Sequence, residues 1–154
     1  IFLYYLSISE IDTHFENYFE ILSFNIQLII IYFWASKRPE ALGGGHIFFA
    51  GLINDVVVGF PLGLSSLSYL IVSFVANYVK HMTVNTRITT DWFTFFIAIF
   101  FSNMILFILL SNFSEIAVSL TEISYNTFFT LLFFPFFWFL FTYYNSIITT
   151  GKNA

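Results

Sequence analysis

The sequence predicts an all-α integral membrane protein, a six-helix bundle whose first helix is truncated. Of the 154 residues, 58% are hydrophobic and only 9% are charged, and the mean hydropathy is +0.84. Soluble domains contain roughly 45 to 50% apolar and about 25% charged residues. The 5 basic and 9 acidic residues could not cover a water-exposed surface, so we expect the apolar excess to face lipid.

Composition also excludes several function classes. The chain has no cysteine, which excludes disulfides, a thiolate nucleophile and cysteine-based metal sites. Its formal net charge of -4 lacks the basic footprint that nucleic-acid binding requires. We therefore expect membrane lipid rather than nucleic acid around this protein.

Apolar stretches separated by polar clusters locate the helices. A membrane-spanning helix needs about 20 mostly apolar residues, with a range of about 17 to 25. We predict one transmembrane domain with a remnant of the first helix and five full spans, at about 1–6, 20–36, 45–60, 62–79, 92–110 and 125–148. A signal peptide does not explain 1–6, because no basic region precedes it and no small-residue cleavage site follows.

Each span is bounded by polar or helix-breaking residues. The remnant is followed by the acidic connection 7–20, and the span 20–36 stops at the basic pair Lys37 and Arg38. A glycine-rich segment precedes 45–60, and Pro61 separates it from 62–79. The last two spans are separated by the polar connection 111–124. These boundaries place all helices in one antiparallel series.

The charges predict the orientation of this series. All five cations fall at the same side of the membrane, namely Lys37, Arg38, Lys80, Arg87 and Lys152. Six acids occupy the connections on the opposite side. Because short cytoplasmic loops carry the excess of Lys and Arg, the cationic side is predicted to be cytoplasmic, with both termini of the intact protein inside. Glu40 and Asp91 are then expected in cytoplasmic loops, which leaves Asp55 as the one acid within the bilayer.

Aromatic residues fit this arrangement in part. Trp34 and Trp92 are predicted at cytoplasmic helix ends, where an amphipathic indole suits the headgroup region. Trp138 lies deeper and does not fit that belt. The 24 phenylalanines are interpreted as lipid-facing residues rather than as an aromatic ligand site around 128–141.

Residues that are unusual within apolar spans concentrate in one window between residues 43 and 63. It holds six of the seven glycines together with Asp55. Asp55 follows His46 by about 13 Å of helix, near the bilayer midplane. A carboxylate at that depth costs about 2.5 to 3.5 kcal/mol and needs a partner. It could form a proton, ion or substrate site, or it could pack helices by bonding to Asn54, to backbone N–H groups near 59–63, or to Asn103.

The residues after Asp55 predict a turn followed by a small-residue helix face. Pro61 and its flanking glycines predict a tight extra-cytoplasmic turn. Beyond the turn, small and polar side chains recur every three or four residues, on a face that suits close helix packing or a polar pathway. We select a partner-binding or helix-packing window consisting of Gly51, Asn54, Asp55, Gly59, Pro61, Gly63, Ser66 and Ser73.

Motifs for catalysis, metals and nucleotides are missing from the sequence. His14, His46 and His81 are far apart and lie at predicted membrane boundaries, so no metal site is expected. The segment 38–46 lacks the Lys and the Ser or Thr that end a phosphate-binding loop. We predict no catalytic residue, no metal and no cofactor.

Four features occur in order along the chain: NIQLIIIYFW at 25–34, the pair Arg38-Pro39, the run GLINDVVVGFPLG at 51–63, and Pro135 in an aromatic last helix. In these features the sequence resembles the MreD family of rod shape-determining membrane proteins. The likeness covers about 24–145. The sequence departs from the family in its shortened first helix and in Phe24, where many members have Pro.

This resemblance implies a non-catalytic inner-membrane component of the bacterial elongation complex, which organises lateral peptidoglycan synthesis and maintains rod cell shape. The implied partners are MreC, MreB, RodZ, RodA and a class B penicillin-binding protein, with a homodimer as a further possibility. Lys37, Arg38 and Pro39 would form a cytoplasmic anchor loop. The family is also similar in fold to the S components of energy-coupling-factor transporters.

Two hypotheses therefore remain open at the level of sequence. In the first, the protein is a scaffold whose window packs its own helices or receives the single helix of an MreC-like protein. In the second, it is an S-component-like binding or transport protein, with a cavity lined by Asp55 or Asn103. A membrane enzyme is disfavoured because no second buried acid, His or thiol stands near Asp55 in the sequence.

Overall fold

Five α-helices make up the described part of the chain. The structure, a computed structural model, describes residues 25–38, 42–82, 87–113 and 120–151, together with Leu3. The helices are α1 (Ile26–Lys37), α2 (Gly44–Val58), α3 (Leu64–Met82), α4 (Ile88–Phe113) and α5 (Leu120–Gly151). All regular elements in these segments are helical, which confirms the all-α prediction.

Helix α1 is short and buried on all sides. The Asn25 side chain caps its first turn by accepting the Leu28 N–H at 3.2 Å, and Lys37 occupies its last turn. A cation there complements the negative end of the helix dipole. Residues 27–33 are all buried. A helix that is apolar on almost every side is buried among other elements. The burial of α1 follows this rule.

The connection between α2 and α3 is the tight turn that the sequence predicts. Gly59 ends α2 at φ 78°, and Gly63 precedes α3 at φ 101°. Both values lie in the region where a Cβ is unfavourable, so glycine is the residue that allows the reversal. Pro61 lies exposed between them.

Helix α3 occupies the centre of the bundle. It packs against α1, α2 and α4, whereas α5 packs on the outside against α4 and α1. An aromatic cluster joins α1, α4 and α5, in which Phe95 stacks on Phe134 at 4.5 Å and Tyr32 meets both rings edge-on. The helix richest in serine thus packs against three of the other described helices.

Within the segments that the structure describes, two helices have the length and hydropathy of a membrane span. These are the segments Ile88–Asn112 of α4 and Ile123–Ile148 of α5, while α1 and α2 are apolar but shorter. Only 28% and 11% of the most apolar stretches of α4 and α5 are buried. Phe128, Phe136 and Phe139 are all exposed on α5. Phenylalanines that face outward in this way fit the lipid-facing interpretation.

Asp91 corrects one prediction. It was expected in a loop, but it lies in the first turn of α4 and is only 1% exposed. The prediction was wrong because Thr89, Thr90 and Asp91 read as a polar connection, although an acid in a first turn is favoured by the helix dipole. The described residues therefore contain two buried carboxylates, Asp55 and Asp91.

Candidate functional site

The Asp55 carboxylate caps the helix that follows its own. It is fully buried near the end of α2, and its two oxygens accept the Gly63 N–H at 2.7 Å and the Ser65 N–H at 2.8 Å. The first N–H groups of a helix have no partner within it, and their positive end attracts an anion. Asp55 therefore satisfies the start of α3 across the turn.

The sequence left three possible partners for the Asp55 carboxylate, namely Asn54, backbone N–H groups near 59–63, and Asn103. The structure shows backbone N–H groups as its partners. Asn103 bonds elsewhere, because its Nδ2 donates to Thr127 Oγ1 at 2.6 Å and so joins α4 to α5. Both Asp55 oxygens and the Asn103 amide are thus engaged with the chain's own atoms.

Asn54 belongs to a buried hydrogen-bond network that links three helices. Its Nδ2 donates to Ser65 Oγ at 3.1 Å, and its Oδ1 accepts from Gln27 Nε2 at 3.3 Å. The Tyr69 hydroxyl donates to Gln27 Oε1, which closes the link between α3 and α1. Buried polar groups need partners of this kind, most of all where no water reaches them.

Sequence reasoning missed Gln27 and Tyr69. Gln27 lies inside the motif at 25–34, and it is the only amide in the otherwise apolar run 26–35. That isolation is a usable signal, because a lone amide in an apolar helix has to find a partner on another helix. Tyr69 carried no comparable signal.

Gly51 allows α2 and α3 to touch. A Cβ built at Gly51 would lie 2.7 Å from Ser66 Oγ and closer still to the Ser66 backbone. Ser66 Oγ also donates to the Phe48 carbonyl at 2.8 Å. A small residue at such a crossing lets the two backbones approach and bond.

The remaining window residues divide between the turn and α3. Gly59 and Pro61 are exposed and Gly63 is half-buried, at the turn itself. Ser73 is buried further along α3, and Ser68 of the same helix bonds to Ser102 of α4. The structure thus brings Gly51, Asn54, Asp55, Gly63 and Ser66 together, whereas Pro61 lies exposed in the turn and Ser73 lies further along α3.

A second polar cluster lies where α1 ends and α4 begins. Lys37 Nζ pairs with Asp91 Oδ2 at 3.1 Å, and the Trp138 indole N–H donates to the same oxygen at 2.9 Å. Lys37 also lies 5.7 Å from the centre of the Trp138 ring. The predicted topology placed Lys37 and Asp91 at the same end of the bundle, but it did not indicate their pairing.

The predicted anchor loop lies partly in this cluster. Lys37 is engaged by Asp91, while the Arg38 backbone N–H donates to the Trp34 carbonyl at 2.7 Å and closes α1. Pro39 lies outside the described residues.

The chemistry available to both clusters is mainly that of joining helices. In the described segments, no group of three His, Cys, Asp or Glu residues is placed to hold a metal ion. Asn54 and Asp55 of the window bond to Gln27 of α1 and to Ser65 of α3, so these hydrogen bonds join α1, α2 and α3. Such an arrangement orients helices, whereas proton transfer would need an acid open to a reacting group.

Comparison with known proteins gives one match. A family model described as rod shape-determining protein MreD matches residues 1–145. The comparisons with curated proteins and with solved structures returned no match.

Proposed function

The chain belongs to the MreD family of rod shape-determining proteins, and we propose that it is a non-catalytic membrane component of the bacterial elongation complex. In this role it organises lateral peptidoglycan synthesis and so maintains rod cell shape. The family match over residues 1–145 is the observation that carries the proposal.

The internal bonding of the window supports a scaffold role. Asp55, Asn54 and Gln27 are buried, and each bonds to another helix or to its end. Polar side chains inside a membrane bundle often mark transport pathways or hold helices together. Here the observed partners favour the second role, so the window sets the packing of α1, α2 and α3.

The proposed location is the bacterial inner membrane, with several spans and with both termini of the intact protein in the cytoplasm. The apolar lengths of α4 and α5 support the membrane location. The orientation rests on the sorting of cations to one side, as in other multispan proteins.

A single-span, MreC-like protein is the proposed direct partner. The small-residue face of α3 contacts this chain's own helices, so a partner helix would meet an outer surface of the bundle instead. MreB, RodZ, RodA and a class B penicillin-binding protein would join through the same assembly. A homodimer would use the same outer surface.

Ligand binding in the manner of an S component receives less support from the site. That function would need polar groups that face a cavity. Asp55 binds the start of α3, and Asn103 binds Thr127, so both side chains expected to line such a cavity are engaged.

Depletion and co-purification test the proposal. We expect that cells depleted of the protein lose rod shape, and that extraction in mild detergent recovers it together with a single-span periplasmic partner. A second, differently tagged copy distinguishes a homodimer from this heteromeric complex. Recovery of the chain alone, with normal rod shape after depletion, would contradict the proposal.

A further inference from the structure

Pro135 interrupts the hydrogen bonding of α5. Proline has no N–H, so the carbonyl four residues earlier, that of Leu131, loses its helical donor. The structure supplies another donor, because the Trp92 indole N–H of α4 donates to the Leu131 carbonyl at 3.0 Å. In a membrane such a freed carbonyl needs another donor, and a neighbouring helix is one source of it.

The residue next to Trp92 makes a second bond on the other side of the proline. Asp91 Oδ2 accepts the Trp138 indole N–H at 2.9 Å. Asp91 is in turn paired with Lys37 of α1. Adjacent residues of α4 therefore hold α5 at one point before Pro135 and one point after it.

The two halves of α5 are held in different ways. The first half is bonded to the bundle through Thr127, which accepts from Asn103, and through Thr130, which accepts the Asn25 N–H at 2.9 Å. In the second half, Phe141 covers the buried ring of Phe33 at 5.4 Å. Much of that half is exposed, at Phe139, Leu140, Tyr143, Tyr144 and Ile147.

We propose that α5 is a hinged helix with a latch. Pro135 is the hinge, and the bond of the Trp138 indole to Asp91 is the latch that holds the C-terminal half on the bundle. The Trp92 bond stabilises the hinge by satisfying the Leu131 carbonyl. Lys37 keeps the Asp91 carboxylate in place. Release of the latch lets the C-terminal half move away and uncovers Phe33 of α1.

The expected motion is large enough to measure. Ile147 lies about 18 Å beyond Pro135 at 1.5 Å per residue. Helix kinks sharper than about 20° are mostly found at sites such as proline, and a change of that size would move Ile147 by roughly 6 Å. This displacement is that of a rigid C-terminal half turning about Pro135.

Pulsed electron paramagnetic resonance tests the latch. The chain contains no cysteine, so cysteines introduced at Tyr78 and Ile147, both exposed, are the only labelling sites. In lipid nanodiscs we expect a narrow distance distribution for this labelled chain. Trp92→Phe and Trp138→Phe keep an aromatic ring but remove the indole donor, and each should broaden the distribution by several ångströms.

Trp34→Phe is the matched control. It makes the same chemical change on α1, where Trp34 contacts the Phe33 ring and is not part of the latch. It should leave the distribution unchanged. Equal distributions in all three tryptophan variants would overturn the proposal, and so would equal broadening in all three.

Pro135→Ala gives an independent test that should stabilise the helix. Alanine restores the N–H that the Leu131 carbonyl lacks, so Trp92→Phe should no longer broaden the distribution in this background. Pro135→Ala alone should give a distribution at least as narrow as the parent's. A broader distribution in Pro135→Ala, or continued broadening by Trp92→Phe in that background, would overturn the hinge.

Discussion

At the scale of single residues, Asp55 shows how a membrane protein can use a carboxylate structurally. Burial of this group is offset by two backbone N–H donors at the start of α3. The position of Asp55 near the middle of the bilayer, inferred from the sequence, predicted that its carboxylate would need a partner. That position could not show which partner is used, because the backbone donors come within reach of Asp55 only when the turn at 59–63 folds α3 back on α2.

Replacing Asp55 should destabilise the protein in a graded way. Asp55→Asn keeps one acceptor oxygen, whereas Asp55→Leu leaves two N–H groups unpaired. An unsatisfied buried donor costs about 1 to 3 kcal/mol, so the Leu variant should be the less stable one. Thermal unfolding in detergent and membrane protein level measure the difference.

The control for Asp55 is Asn112→Leu, which removes an exposed polar side chain at the end of α4. This variant should be close to the parent. If Asp55→Leu were as stable as the control, Asp55 would not cap α3. If Asp55→Asn also left rod shape and partner recovery unchanged, neither a functional nor a packing role would remain.

Gly51 is the second residue whose role is local and steric. Gly51→Ala should destabilise the protein by about 1 to 3 kcal/mol, because the new methyl group would overlap the Ser66 backbone. Gly45→Ala is the matched control on the same helix, since a Cβ there meets nothing within 4 Å. Unfolding temperatures of the two variants should therefore differ, and equal temperatures would contradict the close crossing.

At the scale of elements, one buried hydrogen-bond network determines how α1 packs against α2 and α3. Its members are Gln27, Asn54, Ser65 and Tyr69. Its side chains come from three helices, and each member is buried. Helix periodicity predicts that α3 has a small, polar face. It does not predict that Tyr69 of that helix reaches Gln27, because the contact depends on the rotation and depth of both helices.

A double-mutant cycle tests this coupling between elements. Tyr69→Phe removes the donor to Gln27, and Gln27→Leu removes the acceptor. Because both changes break the same bond, the double variant should lose less stability than the sum of the single variants. Interhelical hydrogen bonds in membranes average about 0.6 kcal/mol, with a maximum near 1.7, which is the range expected for the coupling energy. Strict additivity would show that the two side chains do not interact.

At the scale of the whole molecule, the five described helices bury several polar side chains beside an apolar core and expose apolar faces. The central helix, α3, is rich in serine, whereas α5 presents mainly apolar and aromatic side chains outward. A water-soluble bundle has the opposite distribution, with polar faces outside. This inversion agrees with membership of a membrane protein family.

The predicted orientation can be tested with the same cysteine-free chain. Cysteines introduced at Leu62, in the turn, and at Arg87, at the start of α4, are both exposed. On intact spheroplasts, a membrane-impermeant thiol reagent should label the Leu62 variant and spare the Arg87 variant, which becomes reactive after lysis. The reverse pattern would show that the cationic side is external, against the charge rule.

Much of the fold and part of the candidate site follow from the sequence. The membrane class depends on overall hydropathy, and the turn at 59–63 depends on adjacent glycines and Pro61, so both are local or summed properties. The window around Asp55 was predicted because six of the seven glycines cluster between residues 43 and 63 and because acids are rare within apolar spans. The position of Asp91 was mistaken, because a polar first turn and a polar loop have the same local composition.

Composition and spacing by themselves determined a helical membrane protein with a polar window and a proline in its last helix. Only the tertiary structure decided that Asp55 caps α3, that Asp91 pairs with Lys37, and that Trp92 satisfies the carbonyl freed by Pro135. Those bonds join groups from different helices. Their formation depends on helix rotation and depth, which result from packing the whole bundle and are not encoded in any one segment.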